Sequence, residues 1–399
     1  MKKIGSAILA LGASAALLLS GCAGGTRGAS PANSPSTSAT GSTEATNPAP
    51  SSSESSSAAE GTITLGSGFD AGAKIGVSLP QKTSENWVLG EALFTDQLKT
   101  AGYDPIVQFA NGGVSEQQNQ ISAMIEQGVK VLVIGAIDGS QLNGQLEAAK
   151  AAGIPVIAYD RLLMNTNDVD IYISFDNYKV GVLQGTALLE GLEKSGKASP
   201  WNIELISGSP DDSNSKPFFE GGMSVLQPKI DDGTLKVPSG QVTQQQTATA
   251  GWKGENAQKR MDAILSANYQ GDVPLDGILS PNDTLARAAL TAVKSAGKAN
   301  PVITGQDSEV ESIKLIVEGT QYSTINKDTK TIVTKVVEYI GQIQKGQPVE
   351  VNDTMSYNNG VKVVPSYLLT PVIVTKDNVC TAYAPDTAAG KEAAKDCAK

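Results

Sequence analysis

Short apolar runs alternate with amphipathic stretches along the chain from residue 74 to residue 326. Runs such as KIGVSLP, KVLVIGAI and IPVIAY predict strands, and stretches of helical spacing separate them. One series of predicted strands ends at DIYISFD, and a second series begins at WNIELIS. Because alternating strands and helices build right-handed βαβ units, this pattern predicts an α/β fold with two lobes around parallel sheets.

The amphipathic stretches predict where the helices lie. In the first series they cover residues 85–101, 115–128 and 141–152, and in the second they begin after residue 213 and at residues 254, 283 and 308. The pattern leaves open which lobe receives residues 328–346 and the segment after residue 360.

The first 22 residues have the pattern of an export signal. Lys2 and Lys3 precede the apolar stretch ILALGASAALLL, which is too short and too interrupted for a stable membrane span. The following LSGC resembles a bacterial lipobox, in which Cys22 receives a diacylglyceryl group and becomes the mature N-terminus. An ordinary signal with a chance cysteine is the alternative interpretation.

Residues 23–72 consist mainly of Ser, Thr, Ala, Gly and Pro. Such a composition buries too little apolar surface to offset the entropy of ordering the chain. We therefore expect a disordered tether, and a glycosylated stalk is the alternative.

Charge and composition exclude several classes of function. The net charge of −10 and the lack of a basic cluster argue against nucleic-acid binding. The sequence contains no histidine, which excludes imidazole bases, Ser/His triads and His-ligated metals, and we expect neither a metal nor a cofactor. In an exported protein Cys380 and Cys397 are expected to pair, with two free thiols as the alternative.

Polar residues follow six of the predicted strands. In open parallel sheets, ligands bind outside the carboxyl ends of the strands. Asp and Asn at such ends also serve as helix caps, and Asp283 and Asp307 are the best candidates for that role. The polar strand ends are Asp160 with Arg161, Asp176 with Asn177, Asp211 with Asp212 and Asn214, Asn282 with Asp283, Gln306 with Asp307, and Lys327.

These residue types suit a sugar. Carboxylates accept hydrogen bonds, Arg and Lys donate them and amides do both, so together they match hydroxyl groups, which donate and accept. Adjacent Asp160 and Arg161 are expected to compensate each other in part while each addresses a different hydroxyl. Trp87 and Trp252 are expected in otherwise polar loops at helix starts, where they would cover the apolar faces of a sugar ring, whereas Trp201 opens an apolar strand and is expected in the core.

From about residue 74 to residue 376 the sequence resembles the D-xylose-binding and multiple-monosaccharide-binding group of type I periplasmic binding proteins, which serve bacterial ABC sugar importers. The stretches that carry the resemblance are GVKVLVIGAIDG, VIAYDRL, SFDNYKVG, GSPDDSN, SPND, TGQD and NNGVKVVPSYLLTPV. The resemblance implies two Rossmann-like lobes joined by three hinge crossovers. It assigns residues 73–176 and 327–359 to one lobe and residues 177–326 and 360–399 to the other.

The resemblance also implies which residues contact the sugar. Asn86 stands where the family commonly has Arg, so the identity of the sugar stays open among xylose, glucose, galactose and similar aldopyranoses. The implied contacts are Asn86, Trp87, Asp160, Arg161, Asp212, Asn214, Trp252, Asn282, Asp307 and Lys327.

The implied function is capture of a monosaccharide outside the cell by a monomer anchored to the outer face of the cell membrane, with delivery to an ABC permease. Docking on a sensory membrane receptor is the alternative.

An enzyme is not expected. GLEKSGKA has Ala198 where a phosphate-binding loop needs Ser or Thr, and SNSK lacks the partner motifs of a serine enzyme. Asp211 and Asp212 are neighbours on one loop, an unsuitable arrangement for the facing carboxylates of a glycosidase.

Overall fold

Strands and helices alternate through the first part of the chain, as the apolar pattern predicts. The computed structural model describes residues 60–82 and 84–397. Up to residue 176 its elements are β1 (Gly61–Ile63), β2 (Lys74–Leu79), α1 (Glu85–Thr100), β3 (Asp104–Phe109), α2 (Val114–Glu126), β4 (Val131–Ile134), α3 (Asn143–Ala151), β5 (Val156–Tyr159) and β6 (Ile171–Phe175).

The alternation restarts after β6. The next elements are α4 (Asn177–Lys194), β7 (Trp201–Leu205), α5 (Ser215–Asp231), β8 (Leu235–Lys236), α6 (Gln244–Thr247), a 3₁₀ turn (Ala250–Trp252), α7 (Gly254–Asn268), β9 (Gly277–Leu279), α8 (Asp283–Ser295), β10 (Val302–Ile303), α9 (Val310–Glu318) and β11 (Ser323–Asn326). The chain then forms α10 (Thr329–Gln344), β12 (Val349–Val351), β13 (Ser366–Leu369), β14 (Val372–Thr375) and α11 (Ala388–Cys397).

Two parallel sheets organise these elements. The first contains six strands in the order β13, β6, β5, β4, β2, β3, and the second contains four in the order β10, β9, β7, β8. Two antiparallel pairs, β1 with β12 and β11 with β14, lie outside these sheets. The predicted α/β fold with two lobes around parallel sheets is confirmed.

Both faces of the first sheet are buried, as parallel sheets require. Val131 and Val133 of β4 point into the core beneath α1 and α10, while Leu132 and Ile134 point into the core beneath α2 and α3. This alternation follows from the two-residue period of a strand. Only the strand ends and their loops therefore remain available for a ligand.

The predicted tether reaches too far along the chain. Residues 61–63 pair with Val349–Val351, and Leu65 is buried in the first core. A partner strand distant in sequence thus orders a stretch whose own composition does not favour structure. The rest of the predicted tether and the predicted signal, including Cys22, lie outside the described residues.

The strand Ser366–Leu369 corrects the lobe boundary at residue 360. It pairs with β6 of the first sheet, whereas the resemblance assigned it to the second lobe. The chain leaves the first sheet after β6, returns to it after β11, and leaves it again between β13 and β14. The third crossover therefore lies near residue 370.

Cys380 and Cys397 form a disulfide, in agreement with the predicted pairing. The bond closes a C-terminal segment whose helix α11 packs against α9. No helix among the described residues has the length and apolar character that a membrane crossing requires.

Helices α4 and α5 approach each other through glycines. A Cβ atom at Gly181 would lie 2.0 Å from the carbonyl oxygen of Phe218, and one at Gly221 would lie 2.1 Å from that of Tyr178. Real side chains do not fit such gaps. The close contact matters for the site because α4 begins at Asn177, whose Nδ2 donates at 2.9 Å to Oδ1 of Asn214, the cavity residue that precedes α5.

We expect Gly181→Ala to lower the free energy of unfolding by about 1–3 kcal/mol, because the added methyl group forces α4 and α5 apart. Gly144→Ala in α3 is the matched control, since its Cβ would meet nothing within 4 Å. That control should be neutral or stabilising by up to about 1 kcal/mol, as Ala favours helix more than Gly. Urea unfolding measures both, and equal effects would show that the α4–α5 contact is not tight.

Candidate functional site

A cavity at the carboxyl ends of the strands lies between elements of the two sheets. All ten residues that the sequence predicts as contacts line it. They come from the start of α1, from the segments that follow β5, β7, β9, β10 and β11, and from the 3₁₀ turn before α7. Five of the six polar strand ends therefore converge on the cavity, as expected for parallel sheets, whereas Asp176 and Asn177 do not line it.

Asp160 occupies a strained turn at the end of β5. Its φ is 62°, a left-handed value that residues other than glycine rarely adopt, and the N–H of Arg161 donates to the carbonyl of Tyr159 at 2.7 Å. A hydrogen bond across one residue with positive φ defines a γ-turn of the uncommon kind. Such conformations persist only where the surroundings hold them.

The carbonyl oxygen of Asp160 provides that support. It accepts hydrogen bonds from the hydroxyls of Tyr172 and Ser174 at 2.7 and 2.8 Å and from Nδ2 of Asn214 at 2.9 Å. Nδ2 of Asn214 also lies 3.2 Å from Oδ1 of Asp160. Because Tyr172 and Ser174 belong to the first sheet and Asn214 follows β7 of the second, this one turn joins the two lobes.

Because of this turn, the adjacent side chains of Asp160 and Arg161 contact different partners. Nε of Arg161 lies 3.0 Å from Oδ2 of Asp212, although its N–H is not aligned with that oxygen, so the contact is an ion pair without a hydrogen bond. Nη1 donates to the carbonyl of Ala136 at 3.0 Å, and the guanidinium lies 5.3 Å from the ring centre of Trp87. The expected mutual compensation of Asp160 and Arg161 is thus replaced by pairing with residues from elsewhere.

Lys327 lies between two carboxylates. Its Nζ is 3.4 Å from Oδ1 of Asp307 and 3.8 Å from Oδ2 of Asp160, and it lies 5.5 Å from the ring centre of Phe218. Burial alone would lower the pKa of Lys327. The negative charges of Asp307 and Asp160 together raise that pKa by more than burial lowers it, so the pKa lies above its usual value. Lys327 therefore carries its positive charge at neutral pH.

Asp212 connects Arg161 to Trp252. Its Oδ2 accepts from the indole N–H of Trp252 at 2.9 Å, and its Oδ1 accepts from the backbone N–H of Asn214 at 2.9 Å. Burial raises the pKa of Asp212 and the Arg161 charge lowers it, with a net value above the usual one. Gly208 makes room for the indole, because a Cβ there would lie 2.2 Å from the Trp252 ring.

The two predicted aromatic surfaces differ in setting, because Trp252 is half-buried in the 3₁₀ turn with a φ of 55°, whereas Trp87 belongs to a helix. Trp87 is buried on α1, within the helix and not in a loop, and packs edge-on against Tyr159 with ring centres 5.9 Å apart. Asn86 precedes it and lines the cavity in a half-buried position. Trp201 lies in the core of the second lobe, as predicted.

The predicted helix caps Asp283 and Asp307 are both wrong. The cap of α8 is the residue before Asp283, and Asp307 is not a helix cap. Asn282 caps α8, since its side-chain oxygen accepts from the N–H of Leu285 at 2.9 Å. Asp283 is instead fully buried, where it accepts from Gln321 and Thr324, and burial raises its pKa well above the usual value. Asp307 has a φ of 93° and precedes the cap position of α9 by two residues.

Two further strand-end carboxylates do not line the cavity. Asp176 caps α4 by accepting from the N–H of Lys179 at 3.0 Å, and Asp211 accepts from the hydroxyl of Ser209. These positions have the ordinary capping and turn roles of Asp.

The structure adds residues that the resemblance did not supply. Gln306 is buried, lines the cavity, and its Oε1 has no hydrogen-bond partner among the described residues. Its place at a polar strand end was the available signal. Phe175 and Phe218 also line the cavity, but nothing in their sequence context separates them from core residues.

A contact outside the cavity also connects the lobes. The carboxylate of Glu85 in α1 accepts from the backbone N–H of Val310 at 3.0 Å, at the first turn of α9. A carboxylate at a helix N-terminus accepts a hydrogen bond from a backbone N–H that has no partner within the helix. Its negative charge also interacts favourably with the positive end of the helix dipole. The cleft is therefore closed by contacts on two sides.

The cavity combines charged acceptors, charged donors, amides and two indole rings. Asp160, Asp212 and Asp307 each contact a cation through one oxygen, and the second oxygen of Asp160 and of Asp212 also accepts from Asn214. Because each carboxylate oxygen has two lone pairs, acceptor capacity remains on all three carboxylates. Such a site suits a neutral ligand with several hydroxyl groups, because each charged side chain already contacts one of opposite sign, with Lys327 shared by Asp160 and Asp307.

Comparison with known proteins agrees with this architecture. The sequence model of one protein family, the periplasmic binding protein domain, matches residues 75–348. The multiple sugar-binding periplasmic receptor ChvE of Rhizobium radiobacter is 46% identical over 309 residues, which cover 76% of this chain and 87% of that protein. The D-xylose-binding periplasmic protein of Escherichia coli is 38% identical over 307 residues, with 77% and 88% covered.

A solved structure gives the same result. An ABC transporter solute binding protein from Clostridium phytofermentans, with bound β-D-glucose, superposes with a TM-score of 0.75 and 41% identity. The match covers 78% of this chain and 99% of that one. By fold, by sequence and by the family model, this chain belongs to the periplasmic binding proteins.

Proposed function

We propose that this protein binds one aldopyranose between its lobes, without chemical turnover, and delivers it to an ABC permease. The observation that carries the proposal is the cavity itself, in which Asp160, Arg161, Asp212, Asp307 and Lys327 are paired with one another yet keep free hydrogen-bonding capacity. Relatives whose names state sugar or xylose binding, and a solved relative with bound glucose, support the same class of ligand.

The ten cavity residues predicted from the sequence are the proposed sugar contacts. In this proposal the carboxylates accept from sugar hydroxyls, Arg161 and Lys327 donate to sugar oxygens, and the faces of Trp87 and Trp252 cover the C–H surfaces of the ring. Asn86 is shorter than the Arg common in the family and donates fewer hydrogen bonds. We propose that Asn86 leaves room for a hexose as well as a pentose.

Titration calorimetry with D-glucose, D-galactose and D-xylose should show one site with saturable heat for at least one of the three. Asp160→Asn should weaken that binding by roughly tenfold to a hundredfold, because a charged hydrogen bond contributes about 1.5–3 kcal/mol. Asn keeps the shape of Asp and tolerates the left-handed backbone at this position.

The matched control is Asp272→Asn, an exposed residue that does not line the cavity, and it should leave the affinity unchanged. The absence of heat with every monosaccharide, together with heat from an amino acid or a nucleoside, would contradict the proposed function.

We also propose that the protein is held on the outer face of the cell membrane by lipid on Cys22. The support is the sequence alone: a charged start, a short apolar stretch and LSGC. More than one acyl chain gives stable anchoring, whereas a single chain binds reversibly.

Cys22→Ser should move the protein from the membrane fraction to the soluble fraction, because Ser lacks the thiol that carries the lipid. Its sugar affinity should stay unchanged, since the site is built from residues beyond 84. Fractionation and calorimetry of the same preparation measure both properties. A Cys22→Ser protein that remains in the membrane fraction would show that the anchor is not a lipid on this cysteine.

A further inference from the structure

The C-terminal segment, residues 380–397, lies against the loop that carries Asp307. The hydroxyl of Tyr383 donates to Oγ of Ser308 at 2.9 Å. The backbone carbonyl of Ala382 also accepts from the side-chain amide of Asn326 at 3.5 Å. Asn326 precedes Lys327, so the segment touches the chain next to both members of the Asp307–Lys327 ion pair.

The loop needs external support. Asp307 and Ser308 have φ values of 93° and 55°, and neither residue is glycine. Two successive residues in the left-handed region persist only where neighbouring groups hold the backbone in place. The N–H of Asp307 donates to the carbonyl of Ile325 at 2.9 Å, and the N–H of Ser308 donates to the hydroxyl of Thr324 at 3.2 Å.

Those two contacts fix the backbone from the side of β11, while Tyr383 holds the side chain of Ser308 from the side of the C-terminal segment. The segment in turn is fixed at both ends by the disulfide. Val379 and Ala393 pack with Ile313 and Ile316 of α9, the helix that follows the loop. The loop thus lies between two rigid supports.

The same segment forms a wall next to the proposed sugar site. A second cavity is lined by Ala382, Tyr383 and Ala384 on one side and by Val88 and Leu89 of α1 on the other. Asp307 and Lys327 line both cavities. A displacement of the segment would therefore be felt at two charged groups of the site.

We propose that Tyr383 is a positioning residue for sugar binding, and that the disulfide-closed segment serves to keep it in place. Tyr383 acts through Ser308 on Asp307, and it does not itself touch the sugar. This inference rests on the proposed function. With the hydroxyl removed, Asp307 samples positions farther from Lys327, and both groups lose their alignment toward the ligand.

The test is Tyr383→Phe, which removes one hydroxyl and keeps the ring. Glucose affinity, or the affinity for whichever sugar binds best, should fall about twofold to tenfold, the range that a neutral hydrogen bond supplies. Ser308→Ala should give a loss of the same size. The double variant should lose no more than either single variant, because all three remove one and the same interaction.

Tyr103→Phe is the matched control. Its hydroxyl donates to the side chain of Gln344 at 2.8 Å in the first lobe and does not line the cavity. This variant should have a comparable effect on the urea midpoint but leave the sugar affinity unchanged. Stability and affinity are thereby separated.

The double variant Cys380→Ser/Cys397→Ser tests the segment as a whole and should lower the affinity at least as much as Tyr383→Phe. The role of Tyr383 would be overturned if Tyr383→Phe left the sugar affinity unchanged, or if the losses of Tyr383→Phe and Ser308→Ala added in the double variant. As long as the wild-type protein binds the sugar, neither result affects the proposed function. Unchanged affinity without the disulfide would overturn the role of the segment. Failure of the wild-type protein to bind any sugar would overturn both proposals.

Discussion

Lys327 lies between Asp160 and Asp307 in the closed cleft, and the rest of the site is arranged around this buried cation. A buried charge without a partner costs several kcal/mol, so each charge in the cleft requires a neighbour of opposite sign. Arg161 and Asp212 form the second such pair. The charged side chains of the cleft therefore contact one another in the absence of a ligand. A neutral ligand can enter without adding a further charge that would need a partner.

The pairing depends on both lobes at once. Asp160 is held in its turn by Tyr172 and Ser174 from the first sheet and by Asn214 from the second. Glu85 closes the opposite side by accepting from the N–H of Val310. The geometry of the site is therefore a property of the closed arrangement, and lobes that separate would lose the Asn214 contact and expose the charges to water.

Much of the site could be predicted because parallel sheets bring strand ends together. Residues as far apart in sequence as Trp87 and Lys327 line one cavity, since Lys327 directly follows β11 and Trp87 lies in the first turn of α1, the helix after β2. The apolar alternation predicts the main strands between residues 74 and 326, and the family resemblance indicates which of the polar residues at their ends contact the sugar. Gln306 has the right position and residue type and lies in the TGQD stretch that carries the resemblance, but the resemblance did not assign it a sugar contact.

The remaining features depend on contacts that no local pattern contains. Ser366–Leu369 joins the first sheet only because the chain crosses between the lobes a third time, and residues 61–63 become a strand only because β12 is available to pair. Asn282 and Asp283 are both residue types that cap helices. A shift of one residue in the start of α8 decides which of them occupies the cap position. The γ-turn at Asp160 cannot be read from VIAYDRL, because three donors from two lobes stabilise it.

The most direct test of this account is a crystal structure with D-glucose bound. The account predicts the sugar ring between Trp87 and Trp252, within hydrogen-bonding distance of Asp160 and Lys327 and of at least one residue that follows β7. A sugar that contacts residues of one lobe only, or that lies outside this cavity, would contradict the claim that the paired charges of both lobes form the binding site.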